Sequence, residues 1–197
     1  MARRLTLLVV LLFVLPATAY AASVKVRIEG KTKTLFAPTY VTVNASNALD
    51  ALEQAATIGE IYYHVTSSSF GNYVDQIGLY GGTASSGWVF KVDNASPPVG
   101  ADQVQLKDGD TVLWYYATFG PTGGPPTLEI KPAPGGCYLV AALDDNGKSA
   151  AVTNLQWHVG SKSTVPGAIG KPFCPKKHTG LLIRATADNA VRSNALR

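Results

Sequence analysis

Aromatic side chains gather between residues 87 and 117, although aromatic residues make up only 9% of the chain. Trp88 and Phe90 lie in the run GWVFKV, and the run LWYYA supplies residues 114–116. Such rings can hold a ligand by stacking and apolar contact. Strand alternation places Trp88 and Phe90 on one face, which favours Phe90 as a core residue. Trp88 begins its strand beside a Ser- and Gly-rich loop, so it is either core or a ligand contact, and we expect it to be more exposed than Phe90 or Trp114.

The groups that an enzyme would use are not arranged for catalysis in the sequence. The segment 82–87, GTASSG, lacks the G-x-S-x-G spacing of a nucleophile elbow. The segment 144–147, DDNG, is typical of a turn and lacks the later carboxylates of a calcium loop. His64, His158 and His178 stand at no metal-ligand spacing. We therefore predict a protein that is not an enzyme and has no metal site and no cofactor.

The first 21 residues have the three parts of a signal peptide. MARR is basic, the run from Leu7 to Leu15 is apolar, and Ala19 and Ala21 are the small residues that a signal peptidase reads. The apolar run is too short to span a bilayer. We expect cleavage near Ala22, secretion, and no stable membrane anchor.

Charge and cysteine content restrict the partners and the compartment. The leader's two arginines account for half of the formal net charge of +4, and the remainder is too small to indicate a nucleic-acid partner. Cys137 and Cys174 are the two cysteines of the chain, and an exported protein meets an oxidising environment. We therefore predict one disulfide between them.

Residues 22–118 carry the pattern of a sheet with one helix. SVKVRIEG, residues 23–30, alternates apolar with charged residues, which predicts a strand with one face buried. A second strand is predicted at Tyr40–Asn44. Leucine and alanine then recur at helical spacing after Asn47, a predicted N-cap, and Gly59 is the predicted stop. Further strands are predicted through IYYHV, WVFKV and TVLWYYA, and this order fits a β-grasp arrangement.

A change in composition divides the chain after residue 118. Residues 119–126 are rich in proline and glycine and are predicted to form a linker. Residues 127–197 contain short strand-like runs ended by turn residues, without a helical period. They predict a small β-sandwich, and the order Cys137, Trp157, Cys174 invites an immunoglobulin-like comparison.

The first domain also resembles a known family. The motifs that carry the resemblance are Ala48–Leu52, Gly71–Val74, Gly87–Phe90, Val99–Ala101 and Leu106–Val112. The resemblance covers about residues 23–117. They resemble the C-terminal β-grasp domain of transcobalamin and intrinsic factor, which also occurs in bacterial secreted proteins of unknown function.

The resemblance implies a ligand-facing segment that begins at Trp88. It therefore assigns Trp88, Val89 and Phe90 to a ligand site, with Tyr73 as a softer candidate. The ligand it implies is corrinoid-like, but the helical half of the vitamin carriers' site is not visible in this chain, so we expect no affinity tighter than micromolar. The function we predict is a secreted binding module for such a small molecule or for a cell-surface partner. The alternative is a structural or adhesive envelope protein whose rings are core.

Overall fold

A computed structural model describes residues 21–68, 71–121, 123–161, 163–176 and 179–197. The predicted leader therefore lies outside the described residues, apart from residue 21. The described ranges are mostly β-structure with one short helix, α1, at Ala48–Gly59. The strands are β1 Ala22–Glu29, β2 Thr34–Ala45, β3 Tyr63–Ser68, β4 Gly71–Ile77, β5 Tyr80–Gly81, β6 Ser86–Val92, β7 Thr111–Thr118, β8 Thr127–Ala133, β9 Cys137–Leu143, β10 Thr153–Val159, β11 Ser163–Pro166, β12 Ile183–Asp188 and β13 Ala195–Leu196. The helix of these ranges lacks the length and hydropathy needed to cross a membrane.

The N-terminal region is built on a four-stranded sheet with the order β2-β1-β7-β6. β1 pairs antiparallel with β2 and parallel with β7, and β7 pairs antiparallel with β6. A second sheet of β3, β4 and β5 lies next to it. The apolar residues of β1 are fully buried against α1 and its neighbours. This order leaves β6 at an edge of the larger sheet.

The helix begins and ends close to the predicted residues. Asn47 accepts a hydrogen bond from the Asp50 backbone N–H at 2.8 Å, which satisfies one of the free donors at the helix N-terminus. Alanine and leucine at helical spacing, such as Ala51 and Leu52, are fully buried. The last helical residue is Gly59, but the left-handed cap conformation belongs to Glu60, whose backbone N–H bonds back to the last turn.

The charged face of β1 contradicts the expectation that one face of this strand is buried. Arg27 is 1% exposed and Glu29 is 0% exposed, so both faces are buried in the second half of the strand, while Ser23 and Lys25 in the first half are exposed. The reason is long-range, because Arg184 and Arg192, both in the C-terminal region, reach Glu29 and cover it. Burial of these charges is possible because they are paired with one another.

The C-terminal strands form two small sheets, one with the order β11-β10-β12-β13 and one of β8 and β9. They share a buried cluster that includes Leu128, Trp157 and Ile183. The predicted disulfide is present: Cys137 at the start of β9 is bonded to Cys174, with 4.1 Å between their Cα atoms. The disulfide links the segment that precedes residue 175 to β9, whose residues belong to this buried cluster. The β-grasp and immunoglobulin-like arrangements stay predictions.

The two regions meet on the face of the first sheet that is opposite α1. Leu113, Tyr115 and Ala117 of β7 pack with Val191 in a separate buried cluster. Lys91 of β6, 1% exposed, reaches into the C-terminal region. The first sheet is therefore covered on both sides, by α1 on one and by the C-terminal strands on the other.

Candidate functional site

A cavity of about 290 Å³ lies beside β6, the edge strand of the first sheet. It is lined by Trp88, Val89 and Phe90 of β6 and by Tyr73 of β4, which are the four residues that the family resemblance assigned to a ligand site. The other lining residues are Asn72, Val74, Ser96, Pro97, Gly100, Ala101, Trp114, Tyr115, Phe119 and Asp145. The structure thus brings together side chains from two strands that share no sheet.

Strand parity explains how β6 contributes residues to two sides of the cavity. Trp88 and Phe90 lie opposite Tyr116 and Trp114 on the face that carries α1. Val89 lies opposite Tyr115 on the face covered by the C-terminal region. A cavity that wraps around the edge of β6 is therefore reached from both faces of the sheet.

Trp88 is a core residue with one edge at the cavity. Its side chain is 8% exposed, and its indole Nε1 donates a hydrogen bond of 2.7 Å to the Tyr80 carbonyl oxygen. Its ring meets the Tyr116 ring edge-on, with 5.6 Å between centroids. The expectation that Trp88 is more exposed than both Trp114 and Phe90 is half wrong: it exceeds Trp114, at 2%, but the half-buried Phe90 is more open. The Tyr80 carbonyl and the Tyr116 ring cover the Trp88 side chain, which was expected to be exposed beside the Ser- and Gly-rich loop.

Phe90 and Trp114 form the apolar wall of the cavity. Their rings are stacked with 5.0 Å between centroids and an interplanar angle of 29°. The Trp114 indole Nε1 donates to the Ala48 carbonyl oxygen at 3.1 Å, which fixes the wall to the start of α1. Phe90 was assigned to the core by parity and to a ligand site by the resemblance; in the structure it is partly buried against the core cluster and also lines the cavity.

Tyr73 stands at the rim of the cavity. Its side chain is 53% exposed, and it follows Asn72, whose Nδ2 donates to Asp102 at 3.2 Å. An exposed ring at a cavity mouth can contact a ligand at little cost to the fold, because few packing contacts depend on it. Tyr73 is therefore the most informative of the four residues for a binding test.

Asp145 is a cavity residue that the sequence did not indicate. The turn predicted at DDNG is present, since the Asp144 side chain accepts from the backbone N–H groups of Asn146 and Lys148 at 2.9 Å each. The same turn carries Asp145 to the cavity, where it is the charged member of the lining among the residues that the structure describes. Its Oδ1 lies 3.3 Å from the Tyr115 hydroxyl, which donates to it. No local sequence signal could have joined this turn to β6.

Two buried polar groups hold the Asp145 turn in place. The Lys91 Nζ donates to the backbone carbonyl oxygens of Leu143 and Asp144, at 3.1 and 2.6 Å, and lies 3.9 Å from Asp145 Oδ1. Burial lowers the pKa of the Lys91 ammonium, against the opposing effect of the two aspartates. Burial, with the Asp145 charge, raises the pKa of the Tyr115 hydroxyl, so this hydroxyl stays protonated and able to donate.

A larger cavity, of about 550 Å³, lies along the Pro- and Gly-rich segment. It is lined mainly by residues 118–120, 123–126 and 189–192 together with Gly30 and Lys31, and by none of the four predicted site residues. Its Arg192 guanidinium is already engaged by Glu29 and by the Gly30 carbonyl oxygen. We therefore place the candidate site at the smaller cavity.

Metal ligands do not converge in the described part of the chain. No group of three or more His, Cys, Asp and Glu side chains there is placed to hold an ion. His64 lies 2.7 Å from Asp75, and Thr66 also donates a hydrogen bond to this carboxylate. The absence of an enzymatic function stays a prediction.

Comparison with known proteins gives two findings for this chain. Residues 45–118 match the model of a family described as a domain of unknown function, DUF4430, and this range contains α1, β6 and β7. Among solved structures, the chain is similar to one from Ruminococcus gnavus ATCC 29149 described as a "putative metal binding protein", with 13% identity, 50% of this chain and 99% of that chain covered, and a TM-score of 0.39. None of the curated proteins matches the chain.

Proposed function

We propose that this chain is a secreted, non-enzymatic binding module that holds a small ligand, or one group of a cell-surface partner, in the cavity beside β6. The observation that carries the proposal is the convergence of Tyr73, Trp88, Val89 and Phe90 on one cavity. An apolar cavity with a few polar groups at its rim is the usual form of a ligand site. Here the stacked rings supply the apolar wall, and Asp145 supplies the polar group.

The size of the cavity limits what it can hold. About 290 Å³ lies at the lower end of the range for pockets that enclose a drug-sized ligand, which is about 300 to 1,000 Å³. A corrinoid-like ligand, which the resemblance to the transcobalamin C-terminal domain implies, would therefore place only an edge or a substituent in the cavity. This supports an affinity for corrinoids no tighter than micromolar.

The domain organisation is part of the same proposal. A β-grasp domain at residues 22–118 would carry the cavity, and a small immunoglobulin-like β-sandwich at 127–197 would supply Asp145. The Pro- and Gly-rich segment 119–126 would be the linker. A protease of broad specificity should cut first in this segment, and the fragments should stay associated through the buried contacts of Lys91 and Glu29. First cleavage inside either domain would contradict the division.

The test of binding is equilibrium dialysis of the mature protein against cobinamide, haem and soluble cell-wall fragments. Tyr73→Ala should weaken the binding of the active compound by about 1 to 3 kcal/mol, the range for truncation of an aromatic anchor, and leave the melting temperature nearly unchanged. Tyr62→Ala is the matched control, because Tyr62 is exposed to a similar extent, at 59%, but does not line this cavity. Loss of binding in the Tyr62 variant instead would place the site elsewhere.

The second candidate function is a structural or adhesive envelope protein without a small ligand. The observation in its favour is the burial of Trp88, whose indole is hydrogen-bonded within the core. On this alternative none of the three probes binds. Tyr73→Ala then changes only contacts at the protein surface. Absence of binding of all three probes up to millimolar concentration would therefore refute a binding module for ligands of these three classes and favour the alternative.

A further inference from the structure

The hydrogen-bond register of β6 shows which of its backbone groups face the cavity. The Asp93 N–H donates to the Thr111 carbonyl at 2.9 Å, and the Phe119 N–H donates to the Ser85 carbonyl at 2.8 Å. These bonds flank a β6–β7 register that runs without a shift. In an antiparallel ladder, hydrogen-bonded pairs alternate with non-bonded pairs. The β6 residues that exchange bonds with β7 are therefore Gly87, Val89 and Lys91.

Trp88 and Phe90 accordingly direct both their N–H and their C=O groups away from β7, toward the cavity. The edge is closed on either side of them. Thr83 N–H donates to the Ser86 carbonyl at 2.7 Å, and Val92 and Ala95 exchange two bonds of 2.9 and 3.0 Å. Within the described ranges, the four backbone groups of Trp88 and Phe90 have no hydrogen-bond partner. A gap of three residues in the pairing of the sheet edge is therefore left at an aromatic cavity, which β4 lines on its other side.

We propose that an extended peptide occupies this gap and adds a short antiparallel strand to β6. The proposal rests on the binding function above and names the ligand class. Two donors and two acceptors, alternating at strand spacing, match the backbone of an extended chain, and main-chain bonds of this kind are how open sheet edges bind peptides. An apolar ligand that covered these groups without pairing them would incur their desolvation cost.

The two sides of the gap select different side chains. Peptide residues opposite Trp88 and Phe90 direct their side chains to the face of the stacked Phe90 and Trp114 rings, which favours apolar residues. The residue between them, opposite Val89, directs its side chain to the face that carries Tyr115 and Asp145. Asp145 is 45% exposed and favours a lysine or arginine there. The preferred sequence is apolar–basic–apolar.

The first test uses the peptide acetyl-Thr-Val-Lys-Val-Thr-amide and its analogue with both valine nitrogens methylated. The parent peptide should bind with a dissociation constant below about 1 mM, and methylation should weaken it by about tenfold or more, because two main-chain hydrogen bonds are lost. In ¹⁵N-resolved spectra the amides of Trp88 and Phe90 should shift, and their hydrogen exchange should slow. Equal affinity of the two peptides, or no binding of either at several millimolar, would overturn strand addition.

A pair of variants at Phe90 separates the contribution of its backbone N–H to binding from that of its ring. Phe90→Pro removes the outward N–H without touching the β7 ladder, and proline is tolerated on the open side of an edge strand. Phe90→Ala removes the same ring and keeps the N–H. We expect Phe90→Pro to bind the parent peptide several-fold more weakly than Phe90→Ala does. Indistinguishable affinities of two folded variants would contradict the proposal, and if the proline variant does not fold, the methylated peptide on the wild-type protein decides.

Two further outcomes identify other occupants of the edge. A concentration-dependent dimer that Phe90→Pro abolishes would assign β6 to a second copy of the chain and refute peptide binding. Binding of cobinamide or haem that Tyr73→Ala weakens, with no peptide binding, would refute strand addition and keep the proposed function. Failure of every probe would refute both.

The substitution Asp145→Asn tests the preference for a basic residue. It should weaken the binding of the lysine peptide and leave the affinity for a peptide with threonine in place of lysine unchanged. An equal loss of affinity for both peptides would show that Asp145 does not select the central residue.

Discussion

Glu29 is the buried centre of a charge cluster, and its neutralisation should destabilise the whole protein. Its carboxylate accepts from Arg27 Nη1 at 2.7 Å and from Arg192 Nε at 3.0 Å, and it is also bonded to the Arg184 guanidinium. Thr34 donates to both of its oxygens at 3.1 Å. Three guanidinium groups from both regions of the chain therefore share one carboxylate.

The substitution Glu29→Gln keeps the size of the side chain and removes its charge. Arg27 is as buried as Glu29, and burial also lowers the pKa of the Arg184 guanidinium, an effect that the Glu29 carboxylate opposes. Removal of one member of a buried ion pair costs about 3 to 5 kcal/mol, because the remaining charge stays buried without compensation. We expect a loss in this range, which is a large part of the roughly 5 to 15 kcal/mol that stabilises a typical domain.

Urea unfolding at neutral pH, followed by tryptophan fluorescence, measures the loss. Glu53→Gln is the control, since Glu53 is exposed on α1 and its neutralisation should change the free energy of unfolding by less than about 0.5 kcal/mol. A loss below about 1 kcal/mol for Glu29→Gln would refute the reasoning, because it would mean that water reaches the cluster and solvates the arginines.

Three further predictions concern the core, the disulfide and pH. Trp88→Ala should lower the free energy of unfolding by about 3 to 5 kcal/mol in urea titrations, because it removes a buried ring; a loss under about 1 kcal/mol would contradict its burial. Reduction of the bond between Cys137 and Cys174, 37 residues apart, should cost about 4 kcal/mol and lower the melting temperature, and free thiols in the exported protein would contradict the pairing. Burial is the main cause of a lowered pKa of His158, and the charge of Arg184 is the second cause. As the pH falls, this histidine is therefore protonated in the unfolded chain before it is protonated in the folded one. This contribution to stability is complete above about pH 6.5 and is lost below it, so His158→Asn should flatten the fall in unfolding free energy between pH 6.5 and 5, and an unchanged slope would contradict it.

Local features of the fold could be predicted from the sequence because their causes are local. The alternation in SVKVRIEG gave β1, and the Asn47 side chain together with helical spacing gave α1 within a residue at each end. The turn at DDNG depends on the Asp144 side chain and its own next residues. The disulfide could be predicted from the presence of two cysteines in a chain that was expected to be exported.

The rest depends on contacts between distant parts of the chain. Alternation in β1 shows that charged and apolar residues lie on opposite faces, but it cannot show that arginines more than 150 positions away bury Glu29 on the charged face. Parity put Trp88 and Phe90 on one face, while their relative exposure is set by the Tyr80 carbonyl and the Tyr116 ring, which cover Trp88. Asp145 reaches the cavity only because the C-terminal strands dock on the first sheet.

That docking makes the C-terminal region part of the candidate site. The face of the first sheet that it covers carries the apolar Leu113 and Tyr115 as well as the buried Lys91. Lys91 is held by backbone carbonyls of the turn that carries Asp145, so the position of this carboxylate is coupled to β6 itself. A C-terminal region that served only as a spacer would not need to bury a lysine next to the site. The cavity beside β6, with its apolar and acidic sides, therefore exists only where the two regions of the chain are joined.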